Sequence, residues 1–355
     1  MKKALLLSAV VVGSILLWNY AKPEAVRKIA TVISKKEQQV KITSQTQNKE
    51  YMFVPYWSFT KSIDGTSDAY IYFGIGVNDS GIDQQDVGYK SLKKFTQLVP
   101  PGKEKILAVR MLDKNINAAI LKNEALQRKI ASDTAELAAK NQFSAVLLDY
   151  ETSAFGFEST TNSITSFYQL FSKEIKDRGQ VFYVTIYGDT YFRARPYDIK
   201  KIANVSDKVL VMTYDFSKSR GNPGPNFPFS GKETYGYDFG KMIDDFQKDV
   251  DNEKLIIVLG YFGYDWHTDK EGNALASGVP LSTNQIVKEF VTSCEYKNCV
   301  LNRSDEGAEP YVKYTDNEGV DHVVWFEDEQ SMAKKKELLK SKGILETGVW
   351  AYSYF

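Results

Sequence analysis

The stretch FSAVLLDYE, from Phe143 to Glu151, decides the expected fold of this chain. Its apolar run is typical of a strand buried on both faces, as in a parallel sheet. Residues two apart in a strand point to the same face, so Asp149 and Glu151 are expected side by side at its carboxyl end. Such a pair is either a paired acid site or the place where a strand runs out into solvent.

Seven further segments are equally rich in Val, Ile, Tyr and Phe. They are YMFVPYW (51–57), AYIYFGIGV (69–77), KILAVRML (105–112), VFYVTIYG (181–188), KVLVMTYDF (208–216), KLIIVLGYFGY (254–264) and TGVWAYSYF (347–355). Helical patterns separate most of them, as in residues 123–142, 161–179 and 331–343. Strand and helix repeating eight times over about 300 residues predict an α/β fold, a (β/α)8 barrel. A doubly wound open sheet is the alternative, but PYWSFTKS is not the Gly-rich phosphate turn that such a sheet usually shows after its first strand.

The segment 267–326 interrupts this alternation and is predicted to be a small insertion after strand seven. Two alternating runs around Asn317-Glu318-Gly319 predict a hairpin within it. Cys294 and Cys299 are the two cysteines of the chain, and a disulfide across their short loop is expected in an oxidising compartment. No metal site is expected, because neither histidine is spaced to complete a four-ligand set.

The first residues are not expected to belong to the barrel. Residues 1–21 hold two lysines and then an apolar run, which predicts either a secretory signal or a short membrane anchor. The absence of a clear cleavage site favours the anchor. Residues 22–50 are polar and predict a linker or stalk, so the barrel is expected over 51–355, outside the cytoplasm.

The overall charge argues against a polyanionic partner. Lys plus Arg and Asp plus Glu each number 45, so the chain lacks the basic excess that nucleic-acid binding needs. The aromatic residues make up 13% of the chain, which suits a large core and also the flat faces of sugars. An uncharged or weakly charged substrate is therefore expected.

Polar and aromatic residues gather at the predicted strand ends, where barrel active sites lie. Beyond the Asp149 and Glu151 pair, they are Tyr214, Asp215, Tyr264, Asp265 and Trp350, with Trp57 at the end of strand one. Carboxylates beside buried strands are unfavourable unless they have a partner or a function. These residues predict an active site at the barrel mouth.

The motifs LLDYE, MTYDF and GVWAYSYF resemble three motifs of the family 18 glycoside hydrolases, the chitinase-type barrels. The region from LGYFGYDW to the last strand is similar to the catalytic domain of bacterial spore-germination and cortex-lytic N-acetylglucosaminidases. The resemblance covers about residues 51–355. It implies hydrolysis of a glycan that contains N-acetylglucosamine (GlcNAc), peptidoglycan or a chitin-like chain, with no cofactor.

The resemblance also implies roles for individual residues. Glu151 matches the general acid, Asp149 the group that stabilises the substrate acetamido group, and Tyr214 the residue that positions that group. The matched sugar-binding positions are Asp215, Trp350 and Phe73, and Trp57, Tyr264 and Asp265 are further expected substrate contacts. In this scheme the acetamido oxygen of the substrate is the nucleophile, so the enzyme supplies no second nucleophilic carboxylate.

One position departs from the family pattern. Leu147 stands where a third acid is usual, so Asp149 has no carboxylate behind it. A slower enzyme or a shifted pH optimum is expected. The alternative is a catalytically weak or inactive barrel that binds glycans as a lectin does.

Overall fold

The computed structural model of the chain describes residues 48–59, 62–152 and 156–355. Its strands, in chain order, are β1 (Lys49–Pro55), β2 (Ala69–Asn78), β3 (Gly81–Ile82), β4 (Glu104–Met111), β5 (Ala145–Tyr150), β6 (Val181–Tyr187), β7 (Lys208–Met212), β8 (Leu255–Gly260), β9 (Phe262–Thr268), β10 (Val279–Ser282), β11 (Lys297–Arg303), β12 (Pro310–Thr315), β13 (Asp321–Phe326) and β14 (Glu346–Trp350). Its helices are α1 (Val87–Leu98), α2 (Lys114–Ile120), α3 (Glu124–Lys140), α4 (Glu158–Lys176), α5 (Ile199–Val205), α6 (Lys232–Tyr235), α7 (Phe239–Phe246), α8 (Thr283–Ile286) and α9 (Glu329–Ser341).

Eight parallel strands close into a barrel in the order β1, β14, β8, β7, β6, β5, β4, β2. The ring closes at β1, where Tyr51 lies opposite Gly348 of β14 on one side and Ala69 of β2 on the other. The predicted (β/α)8 barrel is confirmed, and the open-sheet alternative is wrong. β5 and β14 are four strands apart in this ring, so their carboxyl ends face each other across the mouth.

The apolar strands are buried on both faces, as their sequence predicts. Inward-facing side chains such as Ile71, Leu147 and Ile256 fill the barrel, and outward-facing ones such as Val146 and Leu148 pack against the helices. This double burial explains the nearly continuous hydrophobic runs. The helices predicted over 123–142, 161–179 and 331–343 are α3, α4 and α9, each within three residues of the expected ends.

The insertion is a five-stranded antiparallel sheet in the order β10, β9, β13, β12, β11. It begins at Phe262, five residues before the expected start at residue 267, because the chain leaves the barrel at Tyr261 and starts a new strand. The predicted hairpin is β12 and β13, and Cys294 and Cys299 form a disulfide with their Cα atoms 6.4 Å apart.

A buried ionic cluster joins this insertion to the barrel. The Lys335 ammonium on α9 lies 2.8 Å from Glu309 and 2.5 Å from Glu327, and all three side chains are fully buried. The Glu309 carboxylate also accepts hydrogen bonds from the backbone amides of Asn226 and Phe227 in the loop after β7. Replacing one member of such a cluster leaves an uncompensated buried charge.

The segments expected to be an anchor (1–21) and, for the most part, a linker (22–50) lie outside the described residues. The barrel starts slightly earlier than expected, since β1 begins at Lys49. Within residues 48–59, 62–152 and 156–355, no helix has both the length and the apolar character needed to cross a bilayer.

Candidate active site

Asp149 and Glu151 lie together at the carboxyl end of β5. The strand backbone holds them: the Glu151 amide donates to the Met111 carbonyl of β4 at 2.9 Å, and the Asn117 side chain donates to the Glu151 carbonyl at 2.8 Å. Asp149 is 2% exposed, whereas Glu151 reaches further toward solvent. The alternation of β5 therefore places both carboxyl groups in the barrel mouth at different depths.

Each carboxyl group receives a hydrogen bond from β6. The Thr185 hydroxyl donates to the Asp149 carboxyl, and the Tyr187 hydroxyl donates to Glu151 Oε2 at 2.7 Å. Leu147, the position where a third acid is usual, is fully buried among apolar residues of the barrel interior. Thr185 thus provides Asp149 with a neutral polar partner in a site that lacks the inner carboxylate.

The two carboxyl groups compete for a proton. Burial, together with the charge of Glu151, raises the pKa of Asp149 to about 8, against the lowering effect of the Thr185 hydrogen bond. Burial also raises the pKa of Glu151, and the Tyr187 hydrogen bond opposes this. The pair therefore keeps a proton near neutral pH. The sequence predicts that proton on Glu151, but in the structure the deeper Asp149 competes for it.

The end of β7 contributes a second group of polar side chains. Asp215 adopts a left-handed backbone conformation with φ of 58°, and its amide donates to the Asn226 side chain at 2.9 Å. The Tyr264 hydroxyl donates to Asp215 Oδ1 at 2.6 Å. Burial raises the pKa of Asp215. These contacts fix Asp215 next to Tyr214 at the mouth. Asn226 also donates its backbone amide to Glu309, so it links Asp215 to the buried cluster of Lys335.

Trp350, at the end of β14, forms the aromatic side of the mouth opposite Glu151. Its ring centroid lies 4.8 Å from that of Phe73, 5.5 Å from Phe53 and 6.5 Å from Trp57. The peptide bond after Trp350 is cis. An indole supported by other rings on one side and facing carboxyl groups on the other suits the flat face of a sugar.

These residues line one cavity of about 660 Å³. It brings together eight of the nine predicted site residues: Asp149, Glu151, Tyr214, Asp215, Trp350, Trp57, Phe73 and Tyr264. A volume of this size fits a small-molecule or sugar site with polar groups over an aromatic floor.

Asp265 is the exception, and the structure places it outside this cavity. Its carboxylate lies 2.8 Å from the Tyr314 hydroxyl and 2.9 Å from His322 Nδ1, within the insertion sheet. Neighbouring residues of a strand point to opposite faces, so β9 directs Tyr264 into the cavity and Asp265 away from it. The expectation that Asp265 contacts substrate is corrected on this ground.

Sequence reasoning missed Thr185 and Tyr187, which contact the two carboxyl groups. The signal was available, because both lie on one face at the end of a predicted strand next to β5. The insertion residues Pro280–Ser282, Asn284 and Gln285 and the Ser353-Tyr354 pair also line the cavity. The Trp57 indole donates to the Tyr354 hydroxyl at 3.3 Å. Contacts of this kind depend on loop paths that no periodicity reveals.

The described part of the chain shows no group of three or more His, Cys, Asp or Glu side chains arranged to hold a metal ion. The groups in the cavity are carboxyl, phenol, hydroxyl and indole. They can transfer a proton, accept an N–H and stabilise a positive charge, and these are the steps of acid-catalysed cleavage.

Known proteins of two kinds, spore cortex-lytic enzymes and chitinases, are similar to this chain. The chain is 25% identical over 246 residues to the cortical fragment-lytic enzyme of Bacillus anthracis. The matched region covers 66% of this chain and 52% of that protein. The chain thus spans about half the length of this curated relative. The crystal structure of the Bacillus cereus spore cortex-lytic enzyme SleL matches with a TM-score of 0.67 at 17% identity, over 86% of this chain and 71% of that one. The class V chitinase from Nicotiana tobaccum matches with a TM-score of 0.75 at 15% identity, over 87% and 95% of the two chains.

These structural matches show the shared barrel fold. The model of the glycosyl hydrolases family 18 matches residues 113–354, about two thirds of the chain, a stretch that contains both carboxyl residues of β5 and the β14 indole. This chain belongs to the glycosyl hydrolases family 18.

Proposed function

We propose that this protein is a retaining glycosidase that cleaves GlcNAc-containing glycans outside the cytoplasm, with the acetamido group of the substrate as the nucleophile. The observation that carries this proposal is the cavity in which Asp149, Glu151, Tyr214 and Trp350 meet. The cortex-lytic relatives favour peptidoglycan as the substrate, and the chitinase neighbours make a chitin-like chain the second candidate.

Substrate binding assigns the shared proton. A GlcNAc unit stacked on Trp350 presents its acetamido group toward Asp149 and Tyr214. The acetamido N–H stabilises the Asp149 carboxylate, which lowers the pKa of Asp149 and leaves the proton on Glu151. The Tyr214 hydroxyl donates to the acetamido oxygen and sets its angle of attack on the anomeric carbon.

Cleavage then requires one acid and one anion. Glu151 donates its proton to the leaving oxygen while the acetamido oxygen attacks the anomeric carbon, which forms a positively charged oxazolinium ring. The buried Asp149 carboxylate stabilises this cation. Glu151, now ionised, takes a proton from the water that opens the ring, so two inversions give net retention.

The test compares single substitutions at matched carboxyl groups. Glu151→Gln is expected to lower kcat on a fluorogenic GlcNAc oligomer by at least a thousandfold and to leave thermal unfolding close to that of the wild type. Glu136→Gln, at an exposed site on α3, is the control and should keep full activity. Equal activity of the Glu151→Gln variant and the wild type would refute the assignment.

The lectin alternative rests on Leu147, which removes the inner carboxylate. Product analysis by mass spectrometry, after incubation of residues 48–355 with purified wall sacculi and with chitin oligomers, distinguishes the two. Binding of either glycan by the wild type without any cleaved product supports the lectin and contradicts the glycosidase.

A further inference from the structure

A group of cations lies beside Glu151, on the side of the mouth away from Trp350. The Arg195 guanidinium stacks on the Tyr187 ring at 3.8 Å, and Tyr187 donates to Glu151. Lys218, in the loop after β7, adds a further positive charge close enough to lower the pKa of both Glu151 and Asp215. The mechanism proposed above assigns no task to Lys218.

The two arginines of this group are paired with a buried carboxylate, whereas Lys218 forms no ion pair in the described part of the chain. Arg193 and Arg195 both pair with Asp189, at 2.6 and 2.5 Å, and Asp189 is 4% exposed. Lys218 lies close to both arginines but is itself exposed. Within the part of the chain that the structure describes, no carboxylate lies within ion-pair distance of its ammonium group.

The backbone that carries Lys218 is fixed on both sides. The Phe216 carbonyl accepts from Arg193 Nη2 at 2.9 Å. The Ser219 carbonyl accepts from the Trp266 indole at 3.1 Å and from the Gly278 amide at 2.7 Å. These bonds anchor the loop to the β6 side of the barrel and to the insertion. They fix the backbone that carries Lys218, three residues after Asp215, which lines the cavity.

The side of Glu151 on which the Lys218 ammonium group lies indicates which sugar of the substrate it would contact. If the sugar that contributes the acetamido group stacks on Trp350, the scissile oxygen lies at Glu151 and the leaving sugar extends beyond Glu151. That is the side where Arg195 and Lys218 lie. A lysine on a flexible stem suits a carboxylate whose position varies, because its ammonium group binds as a point charge.

We propose that Lys218 binds a carboxylate of the leaving sugar, so that the enzyme selects acidic glycans, in which an amino sugar carries a lactyl or peptide carboxylate, over neutral chains. This inference rests on the proposed function for the identity of the leaving side. Of the two candidate substrates, it favours peptidoglycan, whose sugars carry carboxylates, over a neutral chitin-like chain.

The test measures binding by isothermal titration calorimetry in the Glu151→Gln background, where cleavage cannot remove the ligand. The probes are a tetrasaccharide of alternating N-acetylglucosamine and N-acetylmuramic acid with free lactyl carboxylates, and the same tetrasaccharide with those carboxylates amidated. The acidic form should bind about tenfold more tightly, equivalent to about 1.4 kcal/mol. The preference should weaken as NaCl rises from 50 to 500 mM.

Second substitutions then test Lys218 itself. Adding Lys218→Gln should abolish the preference for the acidic form, and Lys218→Arg should retain most of it. Lys93→Gln, the same charge change on the exposed face of α1, is the matched control and should leave the preference unchanged. A preference that survives Lys218→Gln, or equal binding of the two probes before that substitution, overturns the inference.

Failure of the proposed function has a different outcome. The wild type would then leave both tetrasaccharides uncut, while the binding preference and its dependence on Lys218 could still be measured.

Discussion

Replacing Asp149 with asparagine should stabilise the fold, and the stabilisation should grow with pH. The carboxyl group is 2% exposed, and burial beside Glu151 raises its pKa to about 8, against 3.8 for an ordinary aspartate. Between these values the folded chain holds a proton that the unfolded chain has lost. The free energy of unfolding then falls by up to ~1.4 kcal/mol per pH unit through this window, and the contribution of the protonated group is lost as pH rises through about 8.

An asparagine does not ionise, so the variant escapes this loss. Its side-chain oxygen can still accept the hydrogen bond from Thr185. The advantage of Asp149→Asn over the wild type should therefore increase by roughly 3 kcal/mol between pH 5 and pH 7.5. The same variant should lose hydrolytic activity, because a neutral amide does not stabilise the oxazolinium ion.

Urea unfolding followed by tryptophan fluorescence at pH 5.0, 6.0, 7.0 and 7.5 measures this difference. Asp251→Asn, at an exposed position before β8, serves as the control and should show a much smaller pH-dependent difference from the wild type. A difference between Asp149→Asn and the wild type that stays constant with pH, or that shrinks as pH rises, would refute the reasoning.

Three further predictions concern the mouth and the insertion. Tyr187→Phe removes the hydrogen bond that lowers the pKa of Glu151, so the basic limb of the kcat/KM profile should move to higher pH; a limb that stays in place contradicts this role. Trp350→Ala should lower kcat/KM on GlcNAc oligomers about thirtyfold by removing about 2 kcal/mol of apolar contact, with Trp350→Phe losing less; similar values for the two variants would argue against stacking. Lys335→Met leaves buried Glu309 without its cation and should lower the free energy of unfolding by about 3–5 kcal/mol; a loss below 1 kcal/mol in urea unfolding would show that the cluster contributes little.

The barrel and most residues of the candidate site could be predicted from local patterns. Eight buried strands separated by amphipathic helices define the barrel, and alternation within β5 places Asp149 and Glu151 on one face. The same alternation on β6 makes Thr185 and Tyr187 predictable once the two strands are known to be neighbours. In the structure Leu147 pairs with Tyr183 and Leu148 with Val184, which brings the next residues of both strands together at the mouth.

The start of the insertion and the position of Asp265 could not be predicted, because they depend on where the chain leaves the barrel. The sequence gives one apolar run from 254 to 264, but the structure divides it at Tyr261 into β8 and β9. Because β9 belongs to the insertion sheet, its own alternation separates Tyr264 from Asp265. The buried cluster of Lys335 was also invisible, since its members are charged residues whose burial results from the docking of the insertion.

The central claim is that the substrate acetamido oxygen, and not a residue of the protein, attacks the anomeric carbon. It is tested most directly by kcat on a series of chromogenic GlcNAc glycosides whose N-acetyl group carries zero, one, two or three fluorine atoms. Fluorine weakens the amide oxygen as a nucleophile, so kcat should fall steeply with each added fluorine. A kcat that does not change with fluorination would contradict it.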